Sequence, residues 1–322
     1  MGGVGVGAWV MPWQDSAWKG FASAIPASAE GTMTVAVGVD IGGSGFRVGR
    51  VVDGALQHSV SVAVGAASPD EVIARVVDSV RALAPGAPVG VGVPGWVRDG
   101  LVLGLPNRPG WEGLALADRM ASALGVRVVV DNDATAAAAG GWLMRGRPSD
   151  LAVLTLGTGV GGGLIAGGRL VRGGGTAGEI GHLWIGGERR CGCGSLGCLE
   201  TRVGTVGLRA GAAERGHDVP DGLAVIDAAR RGEAWAVEVV ADAADALGKG
   251  LANLANLLDP DELLLVGGLA AAADQLGPGA EAELRRRAVR PSAARVRLTW
   301  GGRADDLAMV GAAAMAAGEV GL

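Results

Sequence analysis

The sequence contains no tyrosine and only two phenylalanines. Nine tryptophans are the remaining aromatics, so the core must be built from valine, leucine and alanine. Cysteine and histidine are scarce, at three residues each. An odd cysteine count in a chain of 322 residues excludes a fully paired disulfide framework of the kind that staples small secreted domains. A basic excess is also missing: 28 Lys and Arg stand against 33 Asp and Glu, a net charge of −5. That balance gives no electrostatic reason to expect nucleic acid or an anionic membrane as partner. No apolar run reaches the length of a membrane span.

What is present describes a globular chain with ample material for a core, 49% hydrophobic and 19% charged. Glycine is abundant at 59 residues, gathered in clusters without a period. Clustered glycine predicts tight turns and close backbone approaches rather than a low-complexity chain. Residues 1–32 lack the basic start of a signal peptide and the periodicity of a DNA-binding module. They are expected to be a loosely attached extension, because the first convincing strand begins just after Met33. Short apolar runs at 34–40, 46–52, 55–62, 89–93, 127–130, 151–156, 164–165, 262–266 and 295–299 predict strands. Helical spacing is expected at 69–83, 111–124, 133–144, 201–215, 223–231, 234–258 and 307–317. A strand–glycine turn–strand opening occurs twice, at Asp40 and again at Leu156. The repetition predicts two facing α/β halves of mostly parallel pairing.

The stretch from Gly173 to Glu200 holds all three cysteines, Cys191, Cys193 and Cys198, in the pattern CxCGxxGC, with His182 upstream. Three thiolates and an imidazole form a Cys3His set suited to structural zinc. The plainer alternative is idle buried thiols. A CxC spacing is too tight for an ordinary bridge. Unpaired thiols arranged as ligands suit a reducing cytoplasm. Glu179 and Glu200 flank the cluster, so a closed zinc site would act as a clamp on the His182 ring and the acids beside it.

Asp40 stands at a strand end before Gly42-Gly43-Ser44-Gly45. The bare amides of such a turn can hold phosphate oxygens, and the carboxylate can hold Mg²⁺. By itself the pattern also fits a plain hairpin. Gly157–Gly163 is a second phosphate candidate. It contains GxGxxG, but a hairpin rather than a helix follows, so it is neither a dinucleotide fingerprint nor a P-loop. Asp131-Asn132-Asp133 ends a strand and opens a helix, as helix caps do. An aspartate there could equally take a proton from a substrate hydroxyl. Leu105-Pro106-Asn107 with Trp111 forms a polar and aromatic loop. His58 and His217 receive no role.

Together these motifs resemble the ROK family of bacterial sugar kinases and repressors, within the actin-like ATPase superfamily that includes hexokinase. The resemblance runs from about Met33 to the C-terminus. It rests on Asp40-Ile-Gly-Gly, Leu105-Pro106-Asn107, Asn132-Asp133-Ala134, Leu156–Gly163, Gly178-Glu179-Ile180-Gly181-His182 and the cysteine loop through Glu200. It implies two facing actin-like (ribonuclease H-like) α/β domains with an active-site cleft between them. Residues 33–131 plus 306–322 would form the smaller domain, and 132–305 the larger, with a zinc loop at 182–198.

The same resemblance implies an ATP-dependent kinase acting on a sugar 6-hydroxyl, most simply that of glucose. N-acetylglucosamine, N-acetylmannosamine, mannose, fructose and kanosamine stay open as substrates. Asp133 would be the general base. Asn107, Asn132, Glu179, His182 and Glu200 would hydrogen-bond the sugar. Asp40 would help hold Mg²⁺, with Gly42, Gly43, Ser44, Gly157, Thr158 and Gly159 on the phosphates and Gly267, Gly268 and Leu269 beside the adenosine. A homodimer is the implied assembly. A sugar-responsive repressor and a non-catalytic sugar-binding protein are the rival classes. The sequence departs from the family pattern at Ser44-Gly45, where Thr-Lys is usual, and at Gly140-Gly141-Trp142, where a glutamate usually ends the helix.

Overall fold

A computed structural model describes residues 33–106 and 108–321. The expectations for residues 1–32 and for Asn107 lie outside the described residues. The first half opens with β1 (Val35–Ile41), β2 (Gly45–Val52) and β3 (Ala55–Ala63), an antiparallel meander. Helix α1 (Pro69–Leu83) follows, started by a capping box in which Ser68 and Glu71 satisfy each other's backbone amides, with Pro69 at its first position. Strand β4 (Val89–Val93) then pairs in parallel with β1.

A three-stranded flap comes next, formed by β5 (Trp96–Arg98), β6 (Leu101–Gly104) and β7 (Leu114–Ala115). It precedes α2 (Leu116–Leu124) and β8 (Val128–Asn132). The helix expected over 111–124 is thus shortened, because Gly110 and Gly113 take positive φ and put a turn before it. The first sheet has the order β3-β2-β1-β4-β8.

The second half repeats the plan after α3 (Asp133–Met144). Strands β9 (Leu151–Leu156), β10 (Val160–Ala166) and β11 (Arg169–Val171) form an antiparallel meander. The cysteine loop follows, then α4 (Thr205–Glu214), α5 (Gly222–Arg230) and α6 (Ala234–Leu258). Strand β12 (Glu262–Val266) leads to α7 (Ala273–Arg287), α8 (Arg290–Arg295), β13 (Arg297–Trp300) and α9 (Ala304–Ala317). The second sheet reads β11-β10-β9-β12-β13, the same arrangement as the first. Helix α4 starts at Thr205 rather than 201 because Gly204 has φ +95°. The strand expected at 295–299 lies at Arg297–Trp300 because α8 occupies the residues before it.

Alanine and glycine let α9 lie against both α3 and the first sheet, while α3 lies against β9 and β10 of the second. A Cβ at Gly311 of α9 would fall 1.9 Å from the Ala136 carbonyl of α3, and one at Gly140 of α3 would fall 2.1 Å from the Leu307 carbonyl. On the sheet side, a Cβ at Gly38 or Gly90 would meet the Met309 or Ala312 carbonyl at 1.9 or 1.8 Å. Gly140 therefore stands where a larger residue would force the helices apart. The close packing fixes the start of α3, and Asp133 with it, relative to β1.

Candidate active site

A cavity of about 560 Å³ lies between the two halves. Asp40, Gly42, Gly43 and Pro106 reach it from the first half, and Asn132 and Asp133 from the junction of β8 and α3. Gly157, Thr158, Gly159, Glu179, His182, Glu200, Gly267 and Gly268 reach it from the second. Ser44 is exposed at the turn and is not among the cavity walls. Leu269 is fully buried in the core of the second half, so its side chain does not border the cavity. Hydrophobic burial, not ligand contact, holds that residue.

Asp133 is the first residue of α3 and its Oδ1 accepts the Ala134 N–H at 2.8 Å. Loss of water around the carboxyl raises its pKa to about 6, against the lowering effect of that hydrogen bond, and Glu179 adds to the rise. Asp40 is raised further, to about 8, by burial and by the charges of Asp133 and Asp305. Asn132 caps α3: its Oδ1 accepts from Thr135 N–H at 3.0 Å and its Nδ2 donates to the Gly95 carbonyl at 3.1 Å. Both ends of the amide are engaged, leaving one N–H for a ligand. Asp131, the third polar group of that run, faces elsewhere and pairs with Arg172 at 2.6 Å.

The glycines from 157 to 163 divide by function. Gly157–Gly159 form the turn at the cavity, closed by Gly157 N–H on the Gly159 carbonyl at 3.1 Å. Gly161, Gly162 and Gly163 lie inside β10, so the phosphate turn expected over the whole run is shorter than that. A Cβ at Gly163 would meet the Ala138 Cβ at 2.5 Å on α3, and one at Gly162 would meet Ile180 at 2.3 Å. These two glycines bring the Asp133 helix and the His182 loop close to opposite faces of one strand. Gly159 has a ligand-side neighbour, since a Cβ there would lie 2.5 Å from Glu200 Oε2.

His182, Cys191, Cys193 and Cys198 place their donor atoms within 4.8 Å of one another. A tetrahedral zinc with bonds of about 2.3 Å to sulfur and about 2.05 Å to nitrogen has S···S edges of about 3.8 Å and S···N edges of about 3.5 Å. Cys193 and Cys198 sulfurs lie 3.7 Å apart, and Cys191 lies 3.5 Å from His182 Nδ1. The donor set therefore fits zinc. The other ring nitrogen of His182, Nε2, is turned to Glu179 at 3.6 Å. Glu200 Oε1 accepts from the Cys191 thiol at 3.1 Å. A Ser195 backbone N–H lowers the Cys193 thiol, while burial raises Cys191 and Cys198, so in the absence of a metal the three thiols do not share a preference for the thiolate.

A family model described as ROK family matches residues 36–319. The chain belongs to the ROK family. A glucokinase of Thermotoga maritima is 32% identical over 272 residues, covering 75% of this chain and 84% of that protein. A kanosamine kinase of Amycolatopsis mediterranei is 34% identical over 259 residues, covering 75% and 83%. The crystal structure of a ROK family glucokinase from Streptomyces griseus in complex with glucose and AMPPNP superposes with a TM-score of 0.74 at 30% identity. It covers 87% of this chain and 98% of that one.

Within this ROK fold the departure at Gly45 has a steric cause. A Cβ there would lie 2.4 Å from the Val62 carbonyl, so β3 leaves no space for a side chain. The site also contains residues that sequence reasoning missed. Trp96 lines the cavity from the flap, and Asp305 lines it from the first turn of α9. Arg47 pairs with Asp305 and Asp306, both at 2.9 Å. The signal for Asp305 and Asp306 was present as two acids at a helix start, but that is also how helices favour their own dipole. Among the described residues, no helix is long and apolar enough to cross a membrane.

Proposed function

We propose that the chain is an ATP-dependent hexose kinase that phosphorylates the 6-hydroxyl of glucose. The observation carrying this reading is the position of Asp133. It sits at a helix start in the cavity that Glu179, His182, Glu200 and the two glycine turns also line. Asp133 accepts the proton of the 6-hydroxyl as that oxygen attacks the terminal phosphoryl group in line. Phosphoryl transfer asks mainly for positioning and charge neutralisation, which a pair of backbone cradles and one base supply. The similarity to glucokinases and to the Streptomyces griseus complex supports glucose and ATP as the substrates.

Glu179, His182 and Glu200 hydrogen-bond the sugar hydroxyls, and Asn132 adds its free N–H. Zinc would be held by His182 Nδ1 and the three thiolates, and would supply a rigid brace. With Nδ1 so engaged, the Nε2–H of His182 would be the proton left to donate to the sugar. Were Cys191 a thiolate ligand, it would no longer donate to Glu200, whose carboxylate would be available to a sugar hydroxyl. Asp40 would hold Mg²⁺, whose charge would offset that of the phosphates. The accumulation of Asp40, Asp133 and Asp305 that raises the Asp40 pKa fits a divalent cation. We also infer a homodimer, checked by light scattering, and a cytoplasmic setting that keeps the thiols reduced.

A panel of hexoses and hexosamines assayed for ADP release with MgATP tests the reading. Glucose is expected to give the highest kcat/KM. A higher value for kanosamine or an N-acetylated sugar would replace the substrate and keep the reaction class. No ADP release with any sugar would reject the kinase.

A further inference from the structure

Among the described residues of the first half, Arg108 is the one buried arginine, 6% exposed, and none of the roles above uses it. A guanidinium taken out of water is costly unless its donors are satisfied, and a carboxylate is the usual partner. Among the described residues Arg108 has no carboxylate partner. Its Nε and Nη2 instead both donate to the Gly43 carbonyl, at 3.3 and 3.1 Å. Its guanidinium carbon lies 5.9 Å from the centre of the Trp111 ring, and Trp111 is itself buried. The arginine is thus anchored to its own loop and reaches across 65 residues of sequence to the first glycine turn. Gly43 is a cavity wall, and so is Pro106, two residues before Arg108.

The Gly43 carbonyl and the Ser44 N–H belong to one planar trans peptide and point in opposite directions. Gripping the carbonyl therefore fixes where the Ser44 N–H points. Within the turn Gly42 N–H donates to the Gly45 carbonyl at 2.8 Å and the Ser44 carbonyl accepts from Val64 and Gly65, while the Gly43 N–H has no partner among the described residues. The Ser44 N–H makes no hydrogen bond to a described residue. A Cβ at Gly43 would meet nothing within 4 Å, so the space beside the turn is open to a ligand. We propose that Arg108 is a positioning residue that couples the sugar side of the cleft to the first phosphate turn. It holds the Gly43–Ser44 peptide so that the Ser44 N–H meets a phosphate oxygen of the donor nucleotide. A shift of Pro106 against a bound sugar is passed through Arg108 to that peptide. The coupling rests on the kinase reading, but Arg108 itself touches neither substrate.

Calorimetry on wild type, Arg108→Met and Arg108→Lys tests this, measuring glucose alone, MgAMPPNP alone and each in the presence of the other. In the wild type, glucose is expected to tighten MgAMPPNP binding about ten-fold, and MgAMPPNP to tighten glucose by the same factor. In Arg108→Met the coupling factor falls to about one and MgAMPPNP alone binds about ten-fold more weakly, while glucose affinity and zinc content are unchanged. Arg108→Lys, which keeps the charge and a donor, falls between. In the wild type, glucose alone slows amide exchange of residues 43 and 44.

Three results would overturn the proposal: an Arg108→Met coupling factor equal to wild type, a parallel loss of both affinities and of melting temperature with coupling kept, or no change in Ser44 exchange on adding glucose. If Arg108→Met does not fold, the exchange measurement on wild type decides. A wild type that binds neither glucose nor MgAMPPNP would instead defeat the kinase reading.

Discussion

Asp133 and Asp40 both line the cleft, yet the proposed function gives them different tasks. Asp133→Asn keeps the size and polarity of the side chain but cannot take a proton. Turnover should fall by about 10³-fold, within the range of a general base, while calorimetry finds glucose binding retained. As the proposed base, Asp133 works only when ionised, and its pKa, raised by burial to about 6, sets where that is lost. The wild-type kcat/KM for glucose should therefore decline as pH falls through about 6, and the residual rate of Asp133→Asn should not show that limb. Asp40 gives a stability prediction of opposite sign to its catalytic one. Its folded pKa lies above the unfolded value, so the folded chain binds the proton more tightly, and stability is lost as pH rises from about 4 through about 8. Asp40→Asn removes that ionisation. Scanning calorimetry without metal at pH 8 should show it melting higher than wild type, by about 2 °C for roughly each kcal/mol gained, while MgATP-dependent turnover is lost.

Glycines divide along the same line at the scale of the element. Gly157 faces the cavity, and a Cβ there would meet nothing within 4 Å. Gly163 faces α3, where a Cβ would press on Ala138 and on the Ala134 carbonyl at 2.9 Å. Gly157→Ala should leave the melting temperature near wild type, within about 0.5 kcal/mol, and raise the KM for MgATP. Gly163→Ala should cost about 1–3 kcal/mol through overpacking and lower kcat, because the helix carrying Asp133 must move. This difference was not legible in the sequence. Glycine advertises backbone freedom without saying whether a ligand or a neighbouring element occupies the space. The Cys3His cluster was legible because all four ligands lie on one stretch, where spacing alone constrains geometry. Arg108, Trp96 and Asp305 were not, because their meaning depends on partners or a cavity assembled from distant parts of the chain. Asn132 was half legible: the capping bond to Thr135 that its position suggested is present, and it limits what the amide has left to offer.

The repeated sheet order, legible in outline from two strand–glycine turn–strand openings, gives two similar halves that both line the cavity, with α3 and α9 closely packed between them. Ligand groups come from both sides: Asp40, Gly43 and Pro106 from one, Glu179, His182, Glu200 and the Gly157–Gly159 turn from the other. On the proposed kinase reading, a sugar that satisfies both sets is expected to draw them together, the energy for closure coming from contacts made only in the closed form. The sugar grip and the proton transfer can be separated at this scale. Small-angle scattering should show the radius of gyration of the wild type decreasing on adding glucose without nucleotide. Asp133→Asn should contract equally, since it loses the base and keeps the seat. Cys193→Ser would remove one ligand from the proposed zinc set, and with it the proposed brace on His182. Elemental analysis should find its zinc depleted from about one per chain, glucose affinity should fall with it, and the contraction should be absent at a glucose concentration that saturates the wild type. A fully contracting, zinc-free Cys193→Ser would mean that the imidazole and its two acids hold the sugar without the metal.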